Sequence, residues 1–352
     1  MERGMQDAFR GCLVGGAAGD ALGYTVEFMK LKEIQKKYGP EGIRELESQT
    51  GRAVISDDTQ MTLFTGAGLL EGRRRGAELN SPQWQAALWE LMKEWYDTQV
   101  FNRKVKKRYS WLWKVKALHA RRAPGLTCLS ALSGEEGPGT FEEPVNNSKG
   151  CGGVMRVAPV GLFYSPERYT RAEILKAGAL CAAQTHGHVL GFLPAAVLAL
   201  IVNGAVYEPE KGLEKIIREA VDETADFAVE LFPENVQVPK FKGLMEKAMV
   251  LSKTEENPEK ALKELGEGWT GDEALAVAVY CALRFREDFH KAMTAAVNHD
   301  GDSDSTGAVA GNILGAYLGY EKISSSFSME NLEMREVVLK MADELYQGSR
   351  ES

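Results

Sequence analysis

Glycine recurs at every fourth position in two apolar segments, one near each end of the chain. The two repeats are Gly11, Gly15 and Gly19, and Gly307, Gly311 and Gly315. Residues four apart lie on one face of an α-helix, and each glycine weakens an isolated helix by roughly 1 kcal/mol relative to alanine. The apolar neighbours argue against a merely flexible segment. We therefore expect two helices, each with another backbone packed closely against its glycine face.

Helical spacing of apolar residues dominates the rest of the chain. One segment begins with Ser81, a good N-cap, followed by Pro82 at the first helical position. Alternating apolar patterns are scarce, and the best strand candidate is short, at residues 51–55. The sequence therefore predicts an all-α fold, a compact multi-helix domain. The predicted helices are 6–19, 58–71, 81–99, 171–183, 188–203, 211–231, 240–252, 271–284, 286–297 and 304–320.

Composition narrows the classes of function. The net charge is −8, which disfavours nucleic acid as a partner. The five cysteines form no CxxC pair, so we expect neither a disulfide scaffold nor a structural zinc site, and a reducing, cytoplasmic setting. The N-terminal segment has no basic start and only a short apolar run, which predicts neither export nor a membrane anchor.

Two breaks in the helical pattern fall at residues 132–150 and 232–239. Neither is long enough to prove a domain boundary. We expect one domain over residues 1–352, with a charged helical insertion near 206–270, and a monomer.

The first acidic cluster, Ser56-Asp57-Asp58-Thr59, opens the predicted helix at 58–71. A serine or an aspartate at this place can serve simply as a helix N-cap. The same oxygens can also bind a cation. The residues of this cluster alone leave both interpretations open.

The second acidic cluster precedes the glycine-rich helix near the C-terminus and runs Asp300-Gly301-Asp302-Ser303-Asp304-Ser305. A single cap needs one carboxylate, whereas this loop offers three at alternate positions. Oxygen ligands in a tight turn suit a hard cation such as Mg²⁺, Mn²⁺ or Ca²⁺. An EF-hand is excluded because Ser305 and Gly311 occupy the positions that would be glycine and glutamate.

If the two helix ends were adjacent, the carboxylates of the two clusters would repel one another strongly. Two like charges 4 Å apart repel by about 4 kcal/mol at an effective dielectric constant near 20. A helix N-terminus offsets only roughly 0.3–1 kcal/mol for each carboxylate. Four aspartates in one pocket would then require bound cations or strongly raised pKa values. Two divalent cations would neutralise them.

Four sequence blocks, in order along most of the chain, resemble the ADP-ribosylglycohydrolase family. This family includes dinitrogenase-reductase-activating glycohydrolase and the hydrolases of ADP-ribosylarginine and ADP-ribosylserine. Each block has modest specificity, and the ordered set is highly specific; Thr185-His186 is a weaker fifth match. The four blocks are Gly19-Asp20-Ala21-Leu22-Gly23 with Glu27, Ser56-Asp57-Asp58-Thr59, Gly150-Cys151-Gly152-Gly153-Val154-Met155-Arg156, and Gly301-Asp302-Ser303-Asp304-Ser305-Thr306-Gly307-Ala308.

The resemblance implies a compact all-α domain with a binuclear Mg²⁺ or Mn²⁺ centre. Its metal ligands would be Ser56, Asp57 and Asp58 from one helix end, and Asp302, Asp304 and Ser305 from the other. The family usually has threonine at the two serine positions, and serine keeps the hydroxyl oxygen. Glu27 and Asp302 would be catalytic, with Glu27 acting either as the base or as the group that positions water or the leaving side chain. On its residues alone, Glu27 is an ordinary exposed acid.

The resemblance also assigns ADP-ribose binding to the glycine loop and to one histidine. Glycines let backbone N–H groups approach a phosphate without obstruction, although a tight loop before a helix would use the same residues. His186 is either a ligand-binding or a buried structural histidine. The predicted substrate-binding residues are Gly150, Cys151, Gly152, Gly153, Val154 and His186.

Residues 102–122 form a basic segment with interleaved aromatic residues and no acid. It has the character of a binding surface for a modified protein or for nucleic acid. A solvated face with its aromatic rings packed inward is the alternative that we favour.

The expected function is metal-dependent hydrolysis of the glycosidic bond between ADP-ribose and a protein side chain, by preference arginine. The partner is then an ADP-ribosylated protein or another ADP-ribose derivative. The alternatives are a hydrolase of ADP-ribosylserine or O-acetyl-ADP-ribose, a two-metal phosphatase, and a non-catalytic relative that binds ADP-ribose.

Overall fold

A computed structural model describes residues 4–46, 51–101, 108–135, 137–255 and 257–351. Within these ranges the regular structure is helical, apart from two isolated β-bridges. The predicted all-α class is therefore confirmed. The α-helices are α1 Met5–Tyr24, α2 Leu31–Tyr38, α3 Asp57–Arg74, α4 Pro82–Gln99, α5 Leu126–Ser133, α6 Ala158–Phe163, α7 Arg171–Ala183, α8 Val189–Tyr207, α9 Leu213–Leu231, α10 Gln237–Thr254, α11 Pro258–Leu265, α12 Gly271–Arg284, α13 Phe289–Val297, α14 Ser303–Leu318, α15 Tyr320–Ile323 and α16 Arg335–Arg350. Five short 3₁₀ helices cover Trp111–Lys114, Lys116–His119, Cys151–Gly153, Pro209–Lys211 and Met329–Asn331.

The two glycine stripes face each other, because α1 and α14 pack together along most of their length. A methyl group added at Gly15 would lie only 2.5 Å from the carbonyl oxygen of Gly311. Gly11 meets Gly315, and Gly19 meets Gly307, in the same way. The expected close backbone packing is confirmed, and it joins the first helix to one of the last.

The centre of the fold is α8, whose residues Val189 to Val206 are all buried. It packs against α6, α7, α9, α12 and α14. By length and composition α8 could cross a membrane, and its apolar window lies entirely within the protein interior. Its uniform hydrophobicity is what a helix surrounded by other helices requires.

The ten predicted helices correspond to α1, α3, α4, α7, α8, α9, α10, α12, α13 and α14. The Ser81 cap is confirmed, since its hydroxyl accepts a hydrogen bond from the Trp84 N–H at 3.2 Å. The strand expected at residues 51–55 does not form: Ala53 makes one isolated bridge, to Leu332. An extended segment with a single paired residue cannot build a ladder.

The region predicted as a charged insertion, residues 206–270, contains α9, α10 and α11. These helices bury apolar faces that include Ile216, Val221, Phe241 and Leu262, and they pack against α8 and α12. The insertion and the single-domain assignment remain predictions.

Candidate active site

The first acidic cluster is held in place by a buried carboxylate of α1. Asp20 is fully buried and accepts hydrogen bonds from the Ser56 N–H at 2.9 Å and from the Thr59 N–H at 3.1 Å. The Thr59 hydroxyl donates to the same group at 2.5 Å. Ser56 is itself the N-cap of α3, accepting from the Asp58 N–H at 3.1 Å. Asp57 and Asp58 are thus fixed on the first turn of α3.

The second acidic cluster forms the start of α14. Asp302 is its N-cap and accepts from the Ser305 N–H at 3.4 Å, while Asp304 accepts from the same N–H at 2.9 Å. Asp300 points elsewhere and caps α2, accepting from the Leu31 N–H at 2.7 Å. Of the three alternating aspartates, two therefore belong to the site.

The two helix ends meet, as the sequence argument required. Carboxylate oxygens of Glu27, Asp302 and Asp304 all lie within 4.8 Å of one another. Asp58 is close enough to hydrogen-bond with the Ser305 side chain, and the charge of Asp302 raises the pKa of Asp58. Glu27 follows the C-terminal end of α1 and is 8% exposed. It reaches this group because Gly23 packs against the backbone of Ser303 and Asp304.

Burial and mutual repulsion dominate the electrostatics of the site. Asp57, Asp58 and Asp304 are each less than 5% exposed, and burial followed by the neighbouring acids holds their pKa values well above the usual range. The same causes raise the pKa of Glu27 to about 9. Without a counter-ion these side chains cannot all be charged at neutral pH.

The donor set fits divalent cations. Among the described residues, Glu27 Oε2 and Asp58 Oδ2 are buried oxygens without a hydrogen-bond partner. Buried polar atoms normally have one, so two orphaned oxygens in one acidic group indicate the place of a ligand. Carboxylate and hydroxyl oxygens are the donors that hard cations such as Mg²⁺ and Mn²⁺ prefer. The ligand roles of the six predicted residues remain predictions.

The glycine loop lies directly beside the acids. Its 3₁₀ turn places the thiol of Cys151 so that it donates to Asp302 Oδ2 at 2.8 Å. The Cys151 N–H donates to Trp269 O at 3.3 Å, next to the start of α12. Gly153 and Val154 lie on the buried side of the loop, where Gly153 packs against the Gly191 carbonyl.

His186 lies behind the same loop and is fully enclosed. A methyl group on Gly152 would lie 3.2 Å from its Nε2. Arg156 donates to the Thr185 hydroxyl oxygen at 2.9 Å, and this oxygen lies 2.9 Å from His186 Nδ1. Because the guanidinium can only donate, the Thr185 hydrogen is free to bond with Nδ1. The imidazole proton then resides on Nε2, which faces the loop.

The protonation state of His186 supports this arrangement. Burial first, and the charge of Arg156 second, lower the pKa of His186 to about 3. The ring is therefore neutral at physiological pH and presents one N–H to the loop. His186 and Gly150 to Gly152 are thus brought together, and their substrate-binding roles remain predictions.

Within residues 108–122, the described part of the basic segment, the C-terminal end borders the acids. Residues 102–107 lie outside the described residues. Arg108 stacks 3.3 Å from the centre of the Trp113 ring, and the Trp111 ring N–H donates to Glu344 at 2.8 Å. The Asp57 N–H donates to Arg122 O at 3.0 Å, so residues near 122 border the acidic cluster. The described aromatic rings are engaged within the protein.

Comparisons with known proteins show the family of this chain. The model of the ADP-ribosylglycohydrolase family matches residues 1–352. The chain belongs to this family. It is 26% identical to an uncharacterised protein of Archaeoglobus fulgidus over 97% of both chains. It is also 26% identical to ADP-ribosylhydrolase ARH3 of Danio rerio, over 97% of this chain and 91% of that protein.

Two further matches show how far the similarity in sequence and in structure extends. ADP-ribosylhydrolase ARH3 of Mus musculus is 28% identical over 57% of this chain and 58% of its own length. A solved structure described as an ADP-ribosylglycohydrolase-related protein complex superposes with a TM-score of 0.61 at 24% identity, over 98% of this chain and 99% of that chain. The structural match shows the fold.

Sequence reasoning gave no role to three residues that support this site, although Asp20 and Arg156 lie in the blocks that resemble the family. Asp20 anchors α3, Arg156 orients Thr185, and the Gly125 N–H donates to Asp57 at 3.3 Å. The available signal for Asp20 was a carboxylate within a buried glycine helix. A buried charge of this kind needs partners, and here they are the N–H groups of α3.

Proposed function

We propose that this member of the family hydrolyses the glycosidic bond at C1″ of ADP-ribose, using two divalent cations. The observation that supports it best is the meeting of two acidic helix ends beside a glycine loop and a neutral histidine. One part of the site suits cations and ribose hydroxyls, and the adjacent part suits a diphosphate. A simple phosphatase would not need the adjacent part of the site that suits a diphosphate.

The cations would be held by Ser56, Asp57 and Asp58 on one side and by Asp302, Asp304 and Ser305 on the other. When bound, they supply charge stabilisation and orient water and ribose hydroxyls. Asp20 keeps the first turn of α3 in place during the reaction. Its pKa, raised by burial to about 6, leaves it mostly ionised and accepting at neutral pH.

The remaining steps use the protein's own groups. Backbone N–H groups of the glycine loop bind the diphosphate and fix the distal ribose over the acids, while the enclosed His186 supports this loop with its Nε2–H. The transition state resembles an oxocarbenium ion, which nearby carboxylates stabilise. Glu27, whose Oε2 is buried without a hydrogen-bond partner among the described residues, takes the proton of the attacking water in its ionised form.

The side chain that carries ADP-ribose is a separate question. Arginine was the sequence-based preference, drawn from residues 146–156, and the curated relatives above have names that specify no side chain. The arginine linkage therefore remains a prediction. A single assay can compare hydrolysis of the arginine linkage with hydrolysis of the serine linkage and of O-acetyl-ADP-ribose.

The test is turnover of these three substrates by the protein with Mg²⁺ or Mn²⁺, with chelated protein and Glu27→Gln as controls. We expect release of free ADP-ribose that requires the cation and is lost in Glu27→Gln, while that variant still binds ADP-ribose. Binding of ADP-ribose without release from any substrate would show a non-catalytic protein. Release of phosphate in place of ADP-ribose would show a phosphatase.

A further inference from the structure

Cys151 differs from the other cysteines of the chain in both exposure and surroundings. Cys12, Cys128, Cys181 and Cys281 are buried, whereas Cys151 is partly accessible. Its Sγ lies 2.8 Å from Asp302 Oδ2. The proposed hydrolytic reaction gives this thiol no role.

The acidic side chains near the thiol have oxygen atoms available to bind a cation. Oxygens of Glu27, Asp302 and Asp304 lie within 4.8 Å of one another, and Asp302 is the residue that Cys151 contacts. Glu27 is 8% exposed and its Oε2 is without a hydrogen-bond partner among the described residues. Among the described residues that group of three does not itself include Cys151, but the Cys151 side chain hydrogen-bonds with Asp302 and lies within hydrogen-bond reach of Ser305. A cation bound by Asp302 and Ser305 can therefore also reach the sulfur.

We propose that Cys151 makes this centre a mixed sulfur and oxygen site for a thiophilic divalent cation such as Zn²⁺, Co²⁺ or Cd²⁺. The inference rests on the proposed function in that Asp302 and Asp304 serve both kinds of cation. Thiolate ligands favour soft and borderline cations, and carboxylates alone favour hard ones. A thiophilic cation therefore displaces Mg²⁺ or Mn²⁺ and inhibits hydrolysis.

The geometry needs only a small adjustment. Zinc binds sulfur at about 2.3 Å and carboxylate oxygen at about 2.1 Å, so two tetrahedral ligands of one ion lie roughly 3.6 Å apart. Cys151 Sγ and Asp302 Oδ2 would separate by roughly 0.8 Å, within reach of side-chain rotation. On binding, the thiol gives its proton to solvent, the S–H···O bond is lost, and the sulfur–metal bond forms.

Co²⁺ and Cd²⁺ give a direct readout that is independent of activity. Chelated protein is titrated with each cation, and the thiolate-to-metal charge-transfer band is followed by ultraviolet absorption. We expect the band in the unaltered protein and its loss in both Cys151→Ser and Cys151→Ala. Cys128→Ser is the matched control, because Cys128 lies on the other side of the same loop, against Gly152, and should leave the band unchanged.

Affinities measured by calorimetry complete the test. In Cys151→Ser we expect Zn²⁺ affinity to fall at least about tenfold, with Mn²⁺ affinity changed by less than about twofold. Mn²⁺ binding without a charge-transfer band for Co²⁺ or Cd²⁺ would overturn this inference and leave the proposed function intact. Failure of all of these cations to bind would overturn both.

Discussion

The contact between Gly15 and Gly311 allows a quantitative test of how the fold holds the site together. In Gly15→Ala the added methyl group lies 2.5 Å from the Gly311 carbonyl oxygen, whereas a carbon–oxygen contact needs about 3.3 Å. The methyl group is fixed to the backbone of α1 and the oxygen belongs to the backbone of α14, so no side-chain rotation can relieve the contact. The two helices must therefore separate by close to 1 Å. Overpacking of this kind costs about 1–3 kcal/mol, and the better helix propensity of alanine returns about 1 kcal/mol.

The expected result is a loss of up to about 2 kcal/mol in the free energy of unfolding. Activity should fall further than stability, because α1 carries Asp20 and leads to Glu27, while α14 carries Asp302 and Asp304. A displacement of 1 Å in a catalytic group can cost about 100-fold in rate. Denaturant unfolding and the kcat/KM of ADP-ribose release measure the two effects.

Gly72→Ala is the control for the first prediction. Gly72 is a buried helical glycine of α3, and a methyl group there would meet Ala87 and Trp84 at an ordinary 3.6 Å. This variant should be as stable as the unaltered protein, or more stable by up to about 1 kcal/mol. Equal stability and activity in Gly15→Ala and Gly72→Ala would refute the argument from close packing.

Three further predictions concern the site itself. Asp304→Ala should abolish Mn²⁺ binding and turnover together, measured by calorimetry and by ADP-ribose release; full activity would contradict its ligand role. Thr185→Val breaks the link between Arg156 and His186, and it should weaken ADP-ribose binding about tenfold, in line with about 1.4 kcal/mol for one hydrogen bond, with Mn²⁺ affinity unchanged. Chelated protein should lose thermal stability as pH rises from about 5 to 9, because the pKa of Glu27 rises from its ordinary 4.5 to about 9 on folding, so the unfolded state releases its proton first. A melting temperature that stays level or rises across this window, or an unchanged profile after Mn²⁺ is added, would count against the last prediction.

The helices that could be predicted are the longer ones, from α13 with 9 residues to α1 with 20, whereas α2, α5 and α11, with 8 residues each, were missed. The predicted bounds 171–183 and 271–284 coincide with α7 and α12. Helix α16 was missed although Val338, Met341, Ala342 and Leu345 have helical spacing and are buried. Met334 at its N-cap is in the left-handed conformation and makes no side-chain cap. The missing cap does not by itself explain why this helix was overlooked, because α9 and α10 also begin without a side-chain cap and were predicted.

The limits of sequence reasoning at the site have a different cause. The acidic residues were recognised because carboxylates at alternate positions exceed what a helix cap needs. The hydrogen bonds from Ser56 and Thr59 to Asp20, and from Cys151 to Asp302, join residues 36 to 151 positions apart. Such contacts depend on how α1, α3 and α14 pack. The glycine stripes predicted close packing without showing that they pack against each other.

The most direct test of the account is anomalous diffraction from crystals of the protein soaked in Mn²⁺ and measured near the manganese absorption edge. The account predicts two peaks between the N-terminal ends of α3 and α14, in contact with Asp57 or Asp58 on one side and Asp302 or Asp304 on the other. The absence of peaks there at saturating Mn²⁺, or peaks only at other acidic groups, would contradict it.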